Sequence, residues 1–119
     1  MENFSLKTFF SPDLIFINDQ LENQEAVFHF IADKLQEKNL IDNTSRNEVI
    51  ELLKNREIST STGIGNGIAV PHIILPNINK IFGCVVKLDK GIDWKAIDGQ
   101  SVKLIVFLFA PASQRQFYL

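Results

Sequence analysis

The sequence predicts a single α/β domain built on a mixed, mostly parallel sheet flanked by helices. Three observations point there. Leu104–Ala110 is apolar at seven consecutive positions, as expected of a central strand buried on both faces. Two stretches upstream, from about Gln24 to Lys38 and from Ser45 to about Arg56, carry apolar residues at helical spacing. The chain has 119 residues, 45% hydrophobic and 22% charged, which suffices for one core and for no more than one domain.

Residues 1–12 mix Phe4, Leu6, Phe9 and Phe10 with polar residues and end at Pro12, an irregular arm whose aromatics are expected to dock on the body. Leu14–Asn18 reads as a brief strand. Asn23 caps the first helix, which places Val27, Phe30, Ile31 and Leu35 on one face. Glu25 in its first turn and Lys38 in its last suit the helix dipole. After a turn at Asn39–Asn43, Ser45 and Glu48 have capping-box spacing and open the second helix. Its inward residues are Val49, Ile50, Leu52 and Leu53. Ser59–Gly67 is too rich in hydroxyls and glycine for a regular element and is expected to be loop. Ile68–Ile73 is a short strand stopped at Pro71, and Phe82–Leu88 and Lys103–Ala110 are longer ones. Turns at Lys90–Gly91 and Asp98–Gly99 separate the last two, with Asp89, Asp93 and Asp98 as turn formers and solvated caps. A strand apolar on both faces needs cover on both, and two helices joined by a short turn lie close together. Residues 1–119 are therefore expected either to be a domain shortened at its C-terminal end, without the helices that close the sheet, or to take the missing layer from another chain.

Composition excludes several classes. Net charge is −2, with 12 Lys and Arg against 14 Asp and Glu, and no basic block offers a track for nucleic acid. No apolar run approaches the ~20 residues that span a bilayer, so direct membrane insertion is not expected. The N-terminus lacks the basic and apolar regions of a signal peptide, and a cytoplasmic protein is expected. The single cysteine, Cys84, precludes an internal disulfide and a cysteine-only metal site; it reads as a packed strand residue.

The chemistry converges on one histidine. His29 lies in the first helix beside Phe30, a flank position. His72 follows Pro71, behind a stretch of glycines and hydroxyls. Gly63, Gly65 and Gly67 allow backbone N–H groups to approach an anion. Ser59, Thr60, Ser61 and Thr62 add hydroxyl donors, and Arg56 offers a guanidinium for bidentate phosphate contact. Beside them an imidazole, neutral near pH 7, can act as a nucleophile on phosphorus. Competing motifs fail on spacing. No lysine follows the glycines as a Walker loop requires, GxGxG is not GxGxxG, no HExxH pairing exists for zinc, and no GxSxG elbow is present.

Arg56-Glu57, four residues, then Thr62-Gly-Ile-Gly-Asn-Gly-Ile-Ala-Val-Pro-His72 resembles the signature of the IIA component of the bacterial phosphoenolpyruvate-dependent sugar phosphotransferase system. The branch is the mannitol/fructose type, which includes nitrogen-regulatory paralogues. The helix pair, Gly91–Val102 and Leu104–Pro111 are similar to segments of that family, so the resemblance covers nearly the whole chain. It implies a phosphotransferase component in which His72 is phosphorylated by the phosphocarrier HPr and passes the group to a IIB component, or carries it as a regulatory mark for target proteins. It further implies that Arg56 neutralises phosphoryl charge, that Ser61, Thr62, Gly63, Gly65 and Gly67 shape the pocket, and that no metal or cofactor is needed. The chain departs from the pattern at Ile73, where the family usually has a small residue, so that a β-branched side chain would narrow a partner's approach. A second departure is Tyr118, with Gln114 and Gln116 nearby, which stands where a second histidine is common.

Overall fold

The computed structural model describes residues 11–41, 46–76 and 78–112. Residues 1–10 of the N-terminal arm, the Ser45 cap, Gln114, Gln116 and Tyr118 lie outside those residues. The elements run β1 (Ile15–Ile17), α1 (Gln24–Glu37), α2 (Arg46–Ser59), β2 (Gly63–Gly65), β3 (Ile68–Ala69), β4 (His72–Ile74), β5 (Phe82–Ile92) and β6 (Val102–Ala110), with a 3-10 turn at Pro12–Leu14 before β1. The strands form one sheet in the order β1-β5-β6-β3-β2, with β4 also beside β6. Pairings of β1 with β5, β3 with β6 and β4 with β6 are parallel. Those of β2 with β3 and of β5 with β6 are antiparallel. This is the expected mixed α/β sheet.

The long β5–β6 pair supplies the floor of the core. Its register places Cys84 opposite Phe107, Val86 opposite Ile105 and Phe82 opposite Phe109 on one face. Both described helices contribute to the cluster on that face. Asn23 Oδ1 accepts from the Ala26 N–H at 2.8 Å, the cap that starts α1. The buried stripe of α1 is Val27, Phe28, Ile31, Ala32 and Leu35. Phe28, rather than the expected Phe30, points to the centre, where it meets Trp94 and Phe107 edge-on. Phe30 packs at the margin against Phe16. α2 buries Val49, Ile50 and Leu53, while Leu52 is only half-buried, and the helix runs one turn past the expected end.

Three further expectations are corrected. Ser59–Gly67 is not wholly irregular, since Gly63–Gly65 pairs with Ile68–Ala69 as a hairpin. Its two-residue turn, Asn66–Gly67, has positive φ at both positions (59° and 79°). That geometry matches the twist of paired strands and favours Asn-Gly. Lys90–Gly91 is not a turn, because β5 continues through it to Ile92. The ladder shifts register there. A Cβ on Gly91 would lie 2.4 Å from Ser101 Cβ, so only glycine permits the approach. Finally, β6 is central but not buried on both faces. Ile105, Phe107 and Phe109 are buried, whereas Leu104, Val106 and Leu108 are half-buried. Ile15 and Ile17 of β1 are 49% and 73% exposed and pair with Val85 and Lys87 of that same second face. Its apolar residues lie away from both described helices.

Cys84 is fully buried, and burial pushes its thiol up to about 12 from an ordinary 9.0. The native thiol is therefore expected to resist iodoacetamide at neutral pH and to react only as the chain unfolds, a difference read by mass spectrometry with and without denaturant. The same shift sets a pH dependence. Cys84 costs the fold nothing below pH 9.0, where both states hold the proton, and stability falls as pH rises from there towards about 12.

Candidate functional site

β3 and β4 follow β6 with one continuous register, Ile68 level with Leu104 and His72 level with Leu108. The interruption lies at Val70–Pro71, where proline cannot donate to a ladder. Pro71 still accepts from the Leu108 N–H at 3.0 Å. His72 opens β4 rather than ending a strand, and its ring is half-buried. Its Nδ1 lies 2.9 Å from the Val70 carbonyl oxygen. A carbonyl only accepts, so Nδ1 carries the proton of the neutral ring and the lone pair sits on Nε2.

His72 borders a cavity of about 760 Å3 whose opposite wall is one face of α2: Glu48, Leu52, Asn55 and Arg56. The sequence singled out Arg56; the other three were missed. Their signal was present, since positions 48, 52 and 55 recur at helical spacing as a stripe beside the buried one. Arg56 Nη1 donates to the Thr60 carbonyl at 2.8 Å, which steadies the guanidinium near the cavity. Ile73 is 6% exposed and points to the core side, while also touching the cavity edge. A second cavity, of about 670 Å3, lies between Leu14, Lys38 and Phe82 and includes neither His72 nor Arg56.

The glycines and hydroxyls stand behind His72, outside the cavity lining. Ser61 Oγ donates to the Trp94 carbonyl and accepts from the Gly63 N–H. Thr62, 3% exposed, gives both its N–H and its O–H to the Glu57 carboxylate. Its hydroxyl also accepts from Trp94 Nε1–H at 3.0 Å. The Asn66 N–H goes to Asp98 Oδ2. Together with the Gln100 N–H, it holds the Asp98 carboxyl below the usual carboxylate range. Gly67 accepts from the Lys103 and Leu104 amides. Thus the structure brings Arg56 and His72 together. It spends the Ser61 and Thr62 hydroxyls and the Thr62 and Gly63 amides on internal bonds that hold the hairpin. His29 is exposed on α1, 3.5 Å from Arg46 Nη2, and stands outside this cavity.

Among the described residues no group of three or more His, Cys, Asp and Glu is placed to hold a metal ion. No helix among the described residues is long and apolar enough to cross a membrane.

Comparison with known proteins shows the family and the fold. A family model described as the phosphoenolpyruvate-dependent sugar phosphotransferase system, EIIA 2, matches residues 8–119. A nitrogen regulatory protein of Bradyrhizobium diazoefficiens is 46% identical over 70 residues, covering 57% of this chain and 46% of the relative. The match thus spans less than half of that relative's length. The fold superposes on nitrogen regulatory protein IIA-Ntr from Neisseria meningitidis with a TM-score of 0.81 at 23% identity, covering 95% of this chain and 77% of the other. It also superposes on the mannitol enzyme IIA of Escherichia coli, solved in complex with phosphorylated mannitol enzyme IIB, with a TM-score of 0.69 at 17% identity, covering 92% and 76%.

Proposed function

Since the chain belongs to the type 2 EIIA family of the phosphoenolpyruvate-dependent sugar phosphotransferase system, we propose that it is a phosphohistidine carrier whose acceptor atom is His72 Nε2. The observation that carries this reading is the pairing of a tautomer-fixed imidazole with a guanidinium across one cavity. The Nε2 lone pair attacks the phosphorus of phosphorylated HPr. A new N–P bond forms, the bond to the donor nitrogen breaks, and its electron pair stays on the donor ring. The Val70 carbonyl stabilises the cationic character that His72 acquires, through the Nδ1–H it accepts. Arg56 offsets the charge on the equatorial oxygens. Ser61, Thr62, Gly63, Gly65 and Gly67 act by shaping the backbone that presents the ring. In the next step the thiolate of a IIB component attacks the same phosphorus, and the pair returns to Nε2. A single arginine suits a carrier, because a cluster of cations would hold the group too tightly to release it.

Incubation with phosphoenolpyruvate, enzyme I and HPr is expected to give one acid-labile, base-stable label per chain, located at His72. An unlabelled chain, or label elsewhere, rejects the reading.

A regulatory reading is favoured by the 46% identity to a nitrogen regulatory protein. There, phosphorylation at His72 switches affinity for a protein target. Transfer from the phosphorylated chain to a IIB domain within seconds would favour transport; label that stays on His72 in the presence of IIB would favour regulation.

A further inference from the structure

The hairpin that leads to His72 lacks one bond that its register calls for. In the β2–β3 ladder Gly63 faces Ala69, so the next antiparallel pair outward is Thr62 with Val70. Such a pair either exchanges both N–H···O bonds or neither. Here half the exchange is made: the Val70 N–H donates to the Thr62 carbonyl at 2.9 Å. The reciprocal donor has been diverted. The Thr62 N–H points to Glu57 Oε2 at 3.1 Å, and its hydroxyl goes to Glu57 Oε1. The acceptor left over, the Val70 carbonyl, is the one that takes His72 Nδ1–H at 2.9 Å.

We infer that Glu57 is a positioning residue for the phosphoryl acceptor: by capturing the Thr62 amide it releases the Val70 carbonyl to hold His72 in the tautomer with its lone pair on Nε2. Two features make the diversion stable. The carboxylate meets both donors of one residue, and charge-assisted bonds of this kind outcompete a neutral ladder bond. The Thr62 hydroxyl also accepts from Trp94 Nε1–H on its other side, which orients it towards the Glu57 carboxylate. Arg56, next to Glu57, holds the Thr60 carbonyl in the same way. The last turn of α2 therefore aligns the cavity wall and the imidazole through consecutive residues.

The test is the ring-nitrogen NMR spectrum of His72 in the unphosphorylated protein. A merely structural carboxylate would leave it unchanged. The wild type is expected to show the proton on Nδ1 and the lone pair on Nε2; the opposite tautomer in the wild type overturns the inference at once. In Glu57→Ala the Thr62 amide returns to the Val70 carbonyl, and the His72 nitrogens are expected to move towards the average of the two tautomers. Glu57→Gln keeps an acceptor for that amide and is expected to retain the wild-type pattern. Thr62→Val also retains it, because the amide bond survives the loss of the hydroxyl. Should alanine at this position not fold, Glu57→Asp, one methylene short of Thr62, replaces it with the same expectation. A folded Glu57→Ala or Glu57→Asp protein with wild-type ring shifts overturns the inference. The kinetic arm rests on the carrier reading above: phosphorylation of Glu57→Ala by HPr is expected to slow about tenfold or more, at a KM for HPr within about threefold of wild type. If the wild type takes no phosphoryl group while the ring shifts respond as stated, the carrier reading fails and the positioning role stands.

Discussion

His72→Ala is expected to abolish phosphorylation by HPr, with label below about one-hundredth of the wild-type amount after the same incubation. The loss is total rather than graded because the acceptor atom itself is removed, unlike a donor that only stabilises charge. The fold is expected to survive. His72 is half-buried at the start of a three-residue strand whose backbone bonds do not depend on the ring, so the cost is about 1 kcal/mol or less. Unchanged circular dichroism with lost label is the signature. His29→Ala serves as the control, since that ring is exposed on α1. Label surviving in His72→Ala and disappearing in His29→Ala would place the acceptor at the other histidine. Arg56→Ala is the graded companion: removing one charge-stabilising donor is expected to slow uptake about 100-fold. Lysine would restore only part of that, because its ammonium lacks the planar fork.

Trp94→Ala is expected to be the most damaging single change to stability, costing about 3–5 kcal/mol out of the ~5–15 kcal/mol typical of a domain. Trp94 is 1% exposed and lies edge-on to Phe28, with ring centroids 5.7 Å apart. Its truncation opens a cavity where α1 meets the sheet. It also strips the buried Thr62 hydroxyl of its indole donor. Thermal denaturation followed by circular dichroism is expected to show a midpoint lower by about 10–20 °C. Trp94→Phe keeps most of the apolar volume and loses the N–H, so about 1–3 kcal/mol is expected. A loss under 1 kcal/mol for alanine would mean that the pocket around this indole closes without penalty, contrary to the packing described.

Much of the architecture was legible because it rests on local rules. The Asn23 cap, the helical spacing of Val27, Ile31 and Leu35, and the apolar run of β6 each point to one element with little competition. The readings that failed did so for identifiable reasons. Phe28 and Phe30 are equally apolar, and only contact with Trp94 and Phe107 selects Phe28 for the centre. Gly91 looks like a turn former until the approach of Ser101, where the ladder shifts register, shows why the strand requires glycine there. The Asn66–Gly67 hairpin was readable from its dipeptide, but the surrounding hydroxyls obscured it. At the site, Arg56 and His72 stood out by chemistry. Glu57 and Trp94 did not, because their parts emerge from a hydrogen-bond exchange that joins residues 32 positions apart.

The unbroken register of β3 and β4 along β6 has a consequence for how this stretch can drift over evolutionary time. Ile68, His72 and Ile74 occupy one side, and Ala69 and Ile73 the other, across a gap of only Val70 and Pro71. Since side chains alternate, losing or gaining one residue in that gap would invert everything after it. The imidazole would be driven among the core aromatics and Ile73 out to the cavity. Insertions and deletions between residues 69 and 72 therefore cannot be absorbed.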